Sequence, residues 1–184
     1  YSIINVLEDV LPLKRVDVME SLQKLAEVKN EINFSNLNQK NNALELAKWI
    51  SGIPLMYYPL GLHAAAVRFK NSMQENAKTH TIIENVVEAS HNGIVAWEKS
   101  TKVQPILLQG TDDYIKTKER WKILKEYFNE KDIEYQEVFS KDGSILSKLV
   151  CLIYQLDLTS IYHAGISGID PSPVNSIDFV KKRL

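Results

Sequence analysis

Short apolar runs alternate with longer amphipathic stretches along most of the chain. Four of the runs have the length and the β-branched or aromatic content that predict strands. They are "IPLMYY" (53–58), "TIIENVVEAS" (81–90), "VQPILLQG" (103–110) and "IEYQEVFS" (133–140). Gly61 follows the first run and leads into a long helical stretch, which is the first half of a β–α–β unit.

Two helices are predicted before the first strand, because apolar residues recur there at helical spacing. These residues are Val18, Leu22, Leu25 and Val28 in the first helix and Leu44, Leu46, Ala47 and Ile50 in the second.

Three longer helices follow in the rest of the chain, and a short one is predicted in the tail. The first of the three runs from the turn at Gly61 into "QENAK". The second, "DDYIKTKERWKILKEYFNEKD", has Thr111 or Asp112 as its expected cap. Its apolar face is expected to carry Ile115, Trp121, Leu124 and Phe128. The third begins at "SILSKL", is mostly apolar and ends at a glycine. Strands that alternate with helices predict an α/β sandwich with a mostly parallel sheet, here preceded by a helical segment.

Composition narrows the class of protein. The chain has 184 residues, 45% of them hydrophobic, which is enough for one ordinary domain with a full core. Its 22 basic and 23 acidic residues argue against a nucleic-acid surface. No apolar run reaches the length of a membrane span. The single cysteine, Cys151, lies in an apolar run and suggests a buried thiol in a reducing cytoplasm.

Several kinds of catalytic site lack a signature. The four histidines, His63, His80, His91 and His163, have no metal-binding spacing, and no C-x-x-C motif is present. No G-x-S-x-G motif or dinucleotide fingerprint is present either. "PLGLH" is only a weak candidate for phosphate binding at a helix start. The sequence therefore predicts neither a metal nor a cofactor.

Proton transfer by Glu75 and His91 remains as candidate chemistry. Glu75 is predicted near the C-terminal end of its helix, whose negative end disfavours the ionised carboxylate and suits a general base. His91 is predicted just after a strand, at the sheet edge where ligands bind in such folds. Spacing alone leaves the alternative open that both are incidental solvated residues. Composition alone likewise favours the interpretation of Lys181 as a solvated lysine of the tail.

Three motifs together resemble a known family. "QENAK", "SHNGIVAWE" and "GIDPSPVNSIDFVKKRL" resemble the C-terminal half of bifunctional phosphoglucose/phosphomannose isomerases, within the phosphoglucose isomerase superfamily. The resemblance extends from about Ala43 to Leu184. It implies a flavodoxin-like sugar isomerase (SIS) domain, that is, a three-layer sandwich. It also implies that glucose 6-phosphate and mannose 6-phosphate are interconverted with fructose 6-phosphate without a metal.

The resemblance also implies roles for individual residues. Glu75 matches the base that moves a proton between C2 and C1 through an enediolate. His91 matches a histidine that helps to open the sugar ring, typically from the partner subunit, so a homodimer with a shared site is implied. Lys181 matches a lysine that assists at the ring oxygen, with Lys182 as a close rival, and Ser172 matches a residue near the sugar.

The chain departs from the family pattern in two ways. Gly93 and Ala96 stand beside His91 where Glu and Gly are common, so the local loop shape is expected to differ. No Ser/Thr-rich phosphate-binding loop is found. We therefore expect residues 1–42 to be a linker and the end of a preceding SIS domain, and residues 43–184 to be the C-terminal SIS domain. Two alternatives to the enzyme stay open: a non-catalytic domain that senses a phosphosugar, and a domain that serves only dimerisation.

Overall fold

A computed structural model describes residues 2–7, 10–37 and 40–184 of the chain. Twelve helices and strands follow one another in these residues. They are α1 (Ser2–Val6), α2 (Arg15–Ile32), α3 (Asn42–Trp49), β1 (Ile53–Tyr58), α4 (His63–Asn76), β2 (Ile82–Asn85), α5 (Val86–Ala89), β3 (Val103–Gln109), α6 (Ile115–Glu130), β4 (Gln136–Phe139), α7 (Ile145–Ile166) and α8 (Asn175–Lys181). Two 3-10 helices, Leu60–Leu62 and Gly93–Glu98, lie between them.

The four strands form one parallel sheet in the order β2-β1-β3-β4. Parallel strands need a crossover between each pair, and the helices that supply these crossovers cover both faces of the sheet. This arrangement confirms the α/β three-layer sandwich expected from the sequence. It also confirms the mostly parallel sheet, since every strand pair is parallel.

Each face of the sheet has its own apolar core. On the first face, Met56, Ile106 and Leu108 of the sheet pack with Phe69 of α4 and Leu156 of α7. On the second face, a different set joins the sheet to α5, α6 and the second 3-10 helix. This set is Leu55, Tyr57, Leu107, Val86, Ala89, Trp97, Trp121, Leu124 and Phe128. The alternation of sides along β1 and β3 follows from the two-residue period of a strand.

Helix α2 packs outside the first layer and belongs to the folded unit. Its buried residues Val28 and Ile32 join Ala47 of α3 and Leu158 and Tyr162 of α7 in a third cluster. Val28 is thus buried as predicted. Leu22, which the helical spacing placed on the same apolar face, is exposed. With Val18 it lines a recess against Leu11 and Leu13 and does not join the core.

Glu20 links α2 to the start of α7. Its carboxylate accepts hydrogen bonds from the backbone N–H of Ser144 (2.9 Å) and the hydroxyl of Ser147 (2.8 Å). The backbone N–H of Ser144 and then the hydroxyls of Ser144 and Ser147 lower the pKa of Glu20 to about 2. A carboxylate at a helix N-terminus also meets the positive end of the helix dipole.

Helix α7 is by length and composition apolar enough to cross a membrane, and 50% of that stretch is buried inside the protein. Its buried residues Cys151, Leu152 and Leu156 pack against α2, α3, α4 and the sheet. These contacts are those of the central helix of a domain. Cys151 is buried as expected, and burial raises the pKa of its thiol.

Three local predictions are wrong. The second strand ends at Asn85, not near Ser90, because the Asn85 side chain accepts a hydrogen bond from the N–H of Val87 (2.9 Å) and starts α5. Helix α6 begins at Ile115 without a side-chain cap, so neither Thr111 nor Asp112 caps it. Ile115 is itself exposed at the first position of that helix.

Candidate active site

A cleft of about 630 Å³ lies between the end of α4 and the tail that follows α7. This volume is in the usual range for sites that hold a small ligand. Its lining residues are Gln74, Glu75, Lys78, Thr79, His80, Asp170, Pro173, Val174, Asn175, Ser176 and Ile177. The cleft therefore unites two of the three motifs that carry the resemblance, "QENAK" and the tail.

The cleft opens at the amino edge of the sheet. Helix α4 leaves the carboxyl end of β1 and returns to the amino end of β2, and α7 returns from the carboxyl end of β4 in the same direction. Ligands of open α/β sheets usually bind at the carboxyl edge. The position of Glu75 is thus set by a helix end and the tail.

Polar contacts with α7 hold the second half of α4 in place. Arg68 donates to the carboxylate of Asp157 (2.9 Å) through one nitrogen and bonds it again through another. At the last residue of α4, Asn76 donates to the hydroxyl of Ser160 (2.8 Å). These bonds fix the end of α4 that carries Glu75.

Glu75 lies in the last turn of α4 with its side chain exposed to the cleft. Within the described residues, its carboxylate makes no hydrogen bond or ion pair. A carboxylate that is held on a rigid helix and is free of partners can accept a proton from a bound molecule.

Lys78 joins the end of α4 to the tail. Its ammonium donates hydrogen bonds to the backbone carbonyls of Glu75 (2.5 Å), Pro173 (2.8 Å) and Pro171 (3.4 Å). The tail is further ordered by Asp170, whose carboxylate accepts from the backbone N–H of Ser172 (2.9 Å). That N–H, and then the Ser172 hydroxyl, lower the pKa of Asp170.

The predicted tail residues lie beside or beyond this cleft. Ser172 is exposed between the two prolines that Lys78 holds. Lys181 follows Ile177 at a spacing of four residues, which places both on one face of α8. Ile177 lines the cleft, whereas Lys182 lines a separate recess with Asp178 and Phe179. Lys181 therefore lies on the same face of α8 as a cleft residue, although neither lysine itself is among the residues that line the cleft.

His91 lies elsewhere, in the turn after α5. Its side chain is exposed, and its backbone N–H donates to the carbonyl of Glu88 (2.9 Å). On either side of this turn, Ala89 and Trp97 are buried in the core of the second sheet face. Glu75 stands on the helix layer of the first face. The structure thus brings Glu75 to Ser172 and the tail but does not bring His91 to them within one chain.

Glu84 explains the departure at position 93. A Cβ atom on Gly93 would come within 2.6 Å of the Glu84 carboxylate, so a larger residue there would require Glu84 to move. Burial, together with the nearby charge of Glu88, raises the pKa of Glu84. The loop that carries His91 is therefore packed over a carboxyl group of the neighbouring strand.

A smaller recess of about 340 Å³ lies at the carboxyl edge of β1 and β3. It is lined by Gly61, Gly110, Asp112 and Lys148, among others. The side chain of Lys148 is buried and forms an ion pair with Asp112, whose pKa is lowered by that hydrogen bond. The positive charge of Lys148 is thus balanced by the carboxylate of Asp112.

No group of three His, Cys, Asp or Glu side chains that could hold a metal ion is found among residues 2–7, 10–37 and 40–184. The sequence analysis missed Lys78, His80, Asp170 and Asn175 as cleft residues. Lys78 stood inside the quoted "QENAK" motif, but a motif does not indicate which side chains face the tail.

Comparison with known proteins gives consistent matches. Residues 39–184 match the family described as the bacterial phospho-glucose isomerase C-terminal SIS domain. The bifunctional phosphoglucose/phosphomannose isomerase of Aquifex aeolicus is 30% identical over 100% of this chain and 58% of its own length. The protein of the same name from Caldicellulosiruptor bescii is 27% identical over 91% of this chain and 51% of its own.

Solved structures share the fold. A glucose-6-phosphate isomerase like protein from Thermus thermophilus has a TM-score of 0.69 at 19% identity, over 85% of this chain and 52% of that one. The sugar isomerase domain of an RpiR transcription factor from Sphaerobacter thermophilus has a TM-score of 0.58 at 11% identity, over 91% and 97%. The chain spans only 51% to 58% of the length of the two isomerases that it resembles in sequence.

Proposed function

The chain belongs to the family of bacterial phospho-glucose isomerase C-terminal SIS domains, and from this we propose that it is the C-terminal part of an aldose–ketose isomerase. Its substrates are the 6-phosphates of glucose, mannose and fructose. The observation that carries the proposal is the unpartnered carboxylate of Glu75 in a cleft of ligand size, faced by the tail motif.

Glu75 is the general base of the proposed reaction. It removes the proton from C2 of the open-chain aldose phosphate, which gives an enediolate, and delivers a proton to C1 to form the ketose. Glucose and mannose differ only at C2, so both yield the same enediolate. One base and one cleft can therefore serve both aldoses, without electron transfer to a cofactor.

His91 and Lys181 handle the oxygen atoms of the sugar in this proposal. His91 assists ring opening, Lys181 stabilises the charge that develops on the ring oxygen, and Ser172 contacts the sugar. His91 lies on the other sheet face from Glu75, which supports a homodimer in which the partner subunit supplies the histidine. Each of the two equivalent sites would then contain residues of both subunits.

The binding of the substrate's phosphate group is assigned in this proposal to a different domain of the protein. We propose that residues 43–184 form the C-terminal SIS domain and that the segment before them leads from a preceding SIS domain that binds the phosphate. The identity to relatives of almost twice this length supports that division. The buried cysteine thiol and the proposed phosphosugar substrate support a cytoplasmic location for the enzyme.

The test is an isomerase assay of the full-length protein with each of the three sugar phosphates. Glu75→Gln keeps the shape of the side chain and removes its basicity, so kcat should fall by about 100-fold or more. Glu130→Gln, an exposed change at the end of α6, is the matched control and should leave kcat unchanged. A Glu75→Gln enzyme with most of its kcat would refute the base assignment.

A phosphosugar sensor is the competing outcome of the same experiment. The full-length protein would then be stabilised against heat by 6-phosphosugars but would not interconvert them. Turnover that depends on Glu75 excludes this alternative.

A further inference from the structure

Lys78 has a backbone conformation that favours a different residue. Its φ is +55°, in the left-handed region, directly after the end of α4. Glycine usually occupies this place at a helix C-terminus because a Cβ atom is strained there. Among the described residues, one other non-glycine has a positive φ, namely Asp132, and aspartate tolerates that region better than lysine. A strained lysine suggests that its side chain has a task.

The side chain binds carbonyls on both sides of Ser172. The ammonium holds the carbonyl of Pro171 before it and that of Pro173 after it, while also holding the carbonyl of Glu75. Proline fixes φ, so the backbone of this segment has little freedom left once its carbonyls are bound. One cation therefore sets the distance between the base and the tail.

The described partners of the Lys78 ammonium are neutral groups. Within the described residues its hydrogen-bond acceptors are backbone carbonyls, and Lys78 forms no salt bridge there. Its positive charge reaches Asp170, whose pKa it helps to lower after the larger effect of Ser172. A cation in the cleft wall suits a reaction that passes through an anionic enediolate.

We propose that Lys78 is a positioning residue of the isomerase site, which locks the Ser172 segment and the following helix α8 against the helix end that carries Glu75. This inference rests on the proposed function, because it concerns the same cleft. Lys78 acts on the substrate through the residues that it holds.

Replacement by glycine separates the two effects of this residue. Lys78→Gly relieves the backbone strain and removes the ammonium, so the melting temperature should stay equal or rise while kcat falls by about tenfold or more. Lys78→Met removes the charge but keeps the strain and should lower kcat similarly. Lys78→Arg keeps a cationic donor and should restore most of kcat. A merely structural role would make activity and thermal stability change together.

Two control variants match these changes away from the cleft. Asp132→Gly relieves the other positive φ, and Lys48→Met removes an exposed charge from α3. Both should keep wild-type kcat and KM. Hydrogen exchange should be faster at the amides of residues 172–177 in Lys78→Gly and Lys78→Met but not in the controls.

The outcomes distinguish this inference from the proposed function. If the full-length wild type isomerises the sugars and Glu75→Gln does not, while Lys78→Gly keeps kcat and KM within about twofold of wild type, the positioning role is wrong and the function stands. If the wild type shows no turnover, both fail. A loss of kcat in Lys78→Gly with unchanged or raised thermal stability supports the role.

Discussion

Glu75 and His91 lie on opposite sides of strand β2. Glu75 lies in the last turn of α4, the helix that precedes the strand, on the face covered by α4 and α7. His91 follows the strand on the face covered by α6. The strand alone spans about 10–13 Å at the usual rise for its four residues. This separation is the reason for the proposal that the two side chains act in a site shared between subunits.

Mixed dimers test the shared site. Glu75→Gln and His91→Ala should each inactivate the homodimer. In a mixed dimer, however, one site would combine the intact Glu75 of one subunit with the intact His91 of the other. Random pairing should therefore restore about a quarter of the wild-type activity. Activity that does not recover on co-expression, although the two variants assemble, would place both residues in the same subunit's site or outside catalysis.

Glu20 should stabilise the protein in a pH-dependent way. Its pKa is lowered from 4.5 to about 2 in the folded state, chiefly by the N–H of Ser144. The stabilisation is therefore present above the unfolded value and lost as the pH falls through the folded value. Glu20→Gln should lower the melting temperature near neutral pH, and the difference from wild type should shrink as the pH falls from about 4.5 towards 2. Glu27→Gln, on the exposed side of α2, should show little effect at any pH.

Glu84 should have the opposite effect. Burial, followed by the charge of Glu88, raises its pKa above the usual 4.5. The folded state therefore favours the protonated carboxyl, and this stability is lost as the pH rises through the raised value. Glu84→Gln should raise the melting temperature near neutral pH and lose that advantage at low pH. A variant that is less stable than wild type at neutral pH would mean that the carboxylate makes a stabilising contact.

The Tyr57 hydroxyl is expected to stabilise the second core. It accepts a hydrogen bond from the indole N–H of Trp97 (2.8 Å), and burial raises its pKa to about 12. Tyr57→Phe keeps the ring but leaves that buried N–H unpaired, so chemical denaturation should give a stability loss of about 1–3 kcal/mol. Tyr114→Phe, at an exposed ring, is the control. If Tyr57→Phe and Tyr114→Phe had equal effects on stability, the hydrogen bond from Trp97 to the Tyr57 hydroxyl would not contribute to stability.

The fold could be predicted from the sequence wherever the pattern of apolar residues reflects which side chains are buried. The sequences of β1 and β3 are continuously apolar because both faces of these strands are covered by helices. Helix α7 is apolar because it packs against α2, α3, α4 and the sheet. The region 81–90 was misread for a physical reason. The apolar residues continue past Asn85, but Val86 and Ala89 are buried on one face of a short helix that the Asn85 side chain caps.

The site was less predictable. The motifs indicated Glu75, His91 and Lys181 as candidates, yet no periodicity indicates that the tail folds back onto the end of α4. That contact depends on Lys78, whose left-handed backbone conformation is invisible in a sequence that does not have glycine there. The separation of His91 from Glu75 likewise follows from the crossing of the sheet, which the linear spacing of 16 residues does not reveal.

Proton transfer by Glu75 can be followed directly by isomerising fructose 6-phosphate in deuterium oxide with the full-length protein. Wild type should form glucose 6-phosphate and mannose 6-phosphate of which a fraction carries solvent deuterium at C2. The proton that Glu75 takes from C1 exchanges with water in some turnovers and is delivered to C2 unchanged in the others. Glu75→Gln should abolish both the product and the label. Labelled products formed at the normal rate by Glu75→Gln would contradict the account.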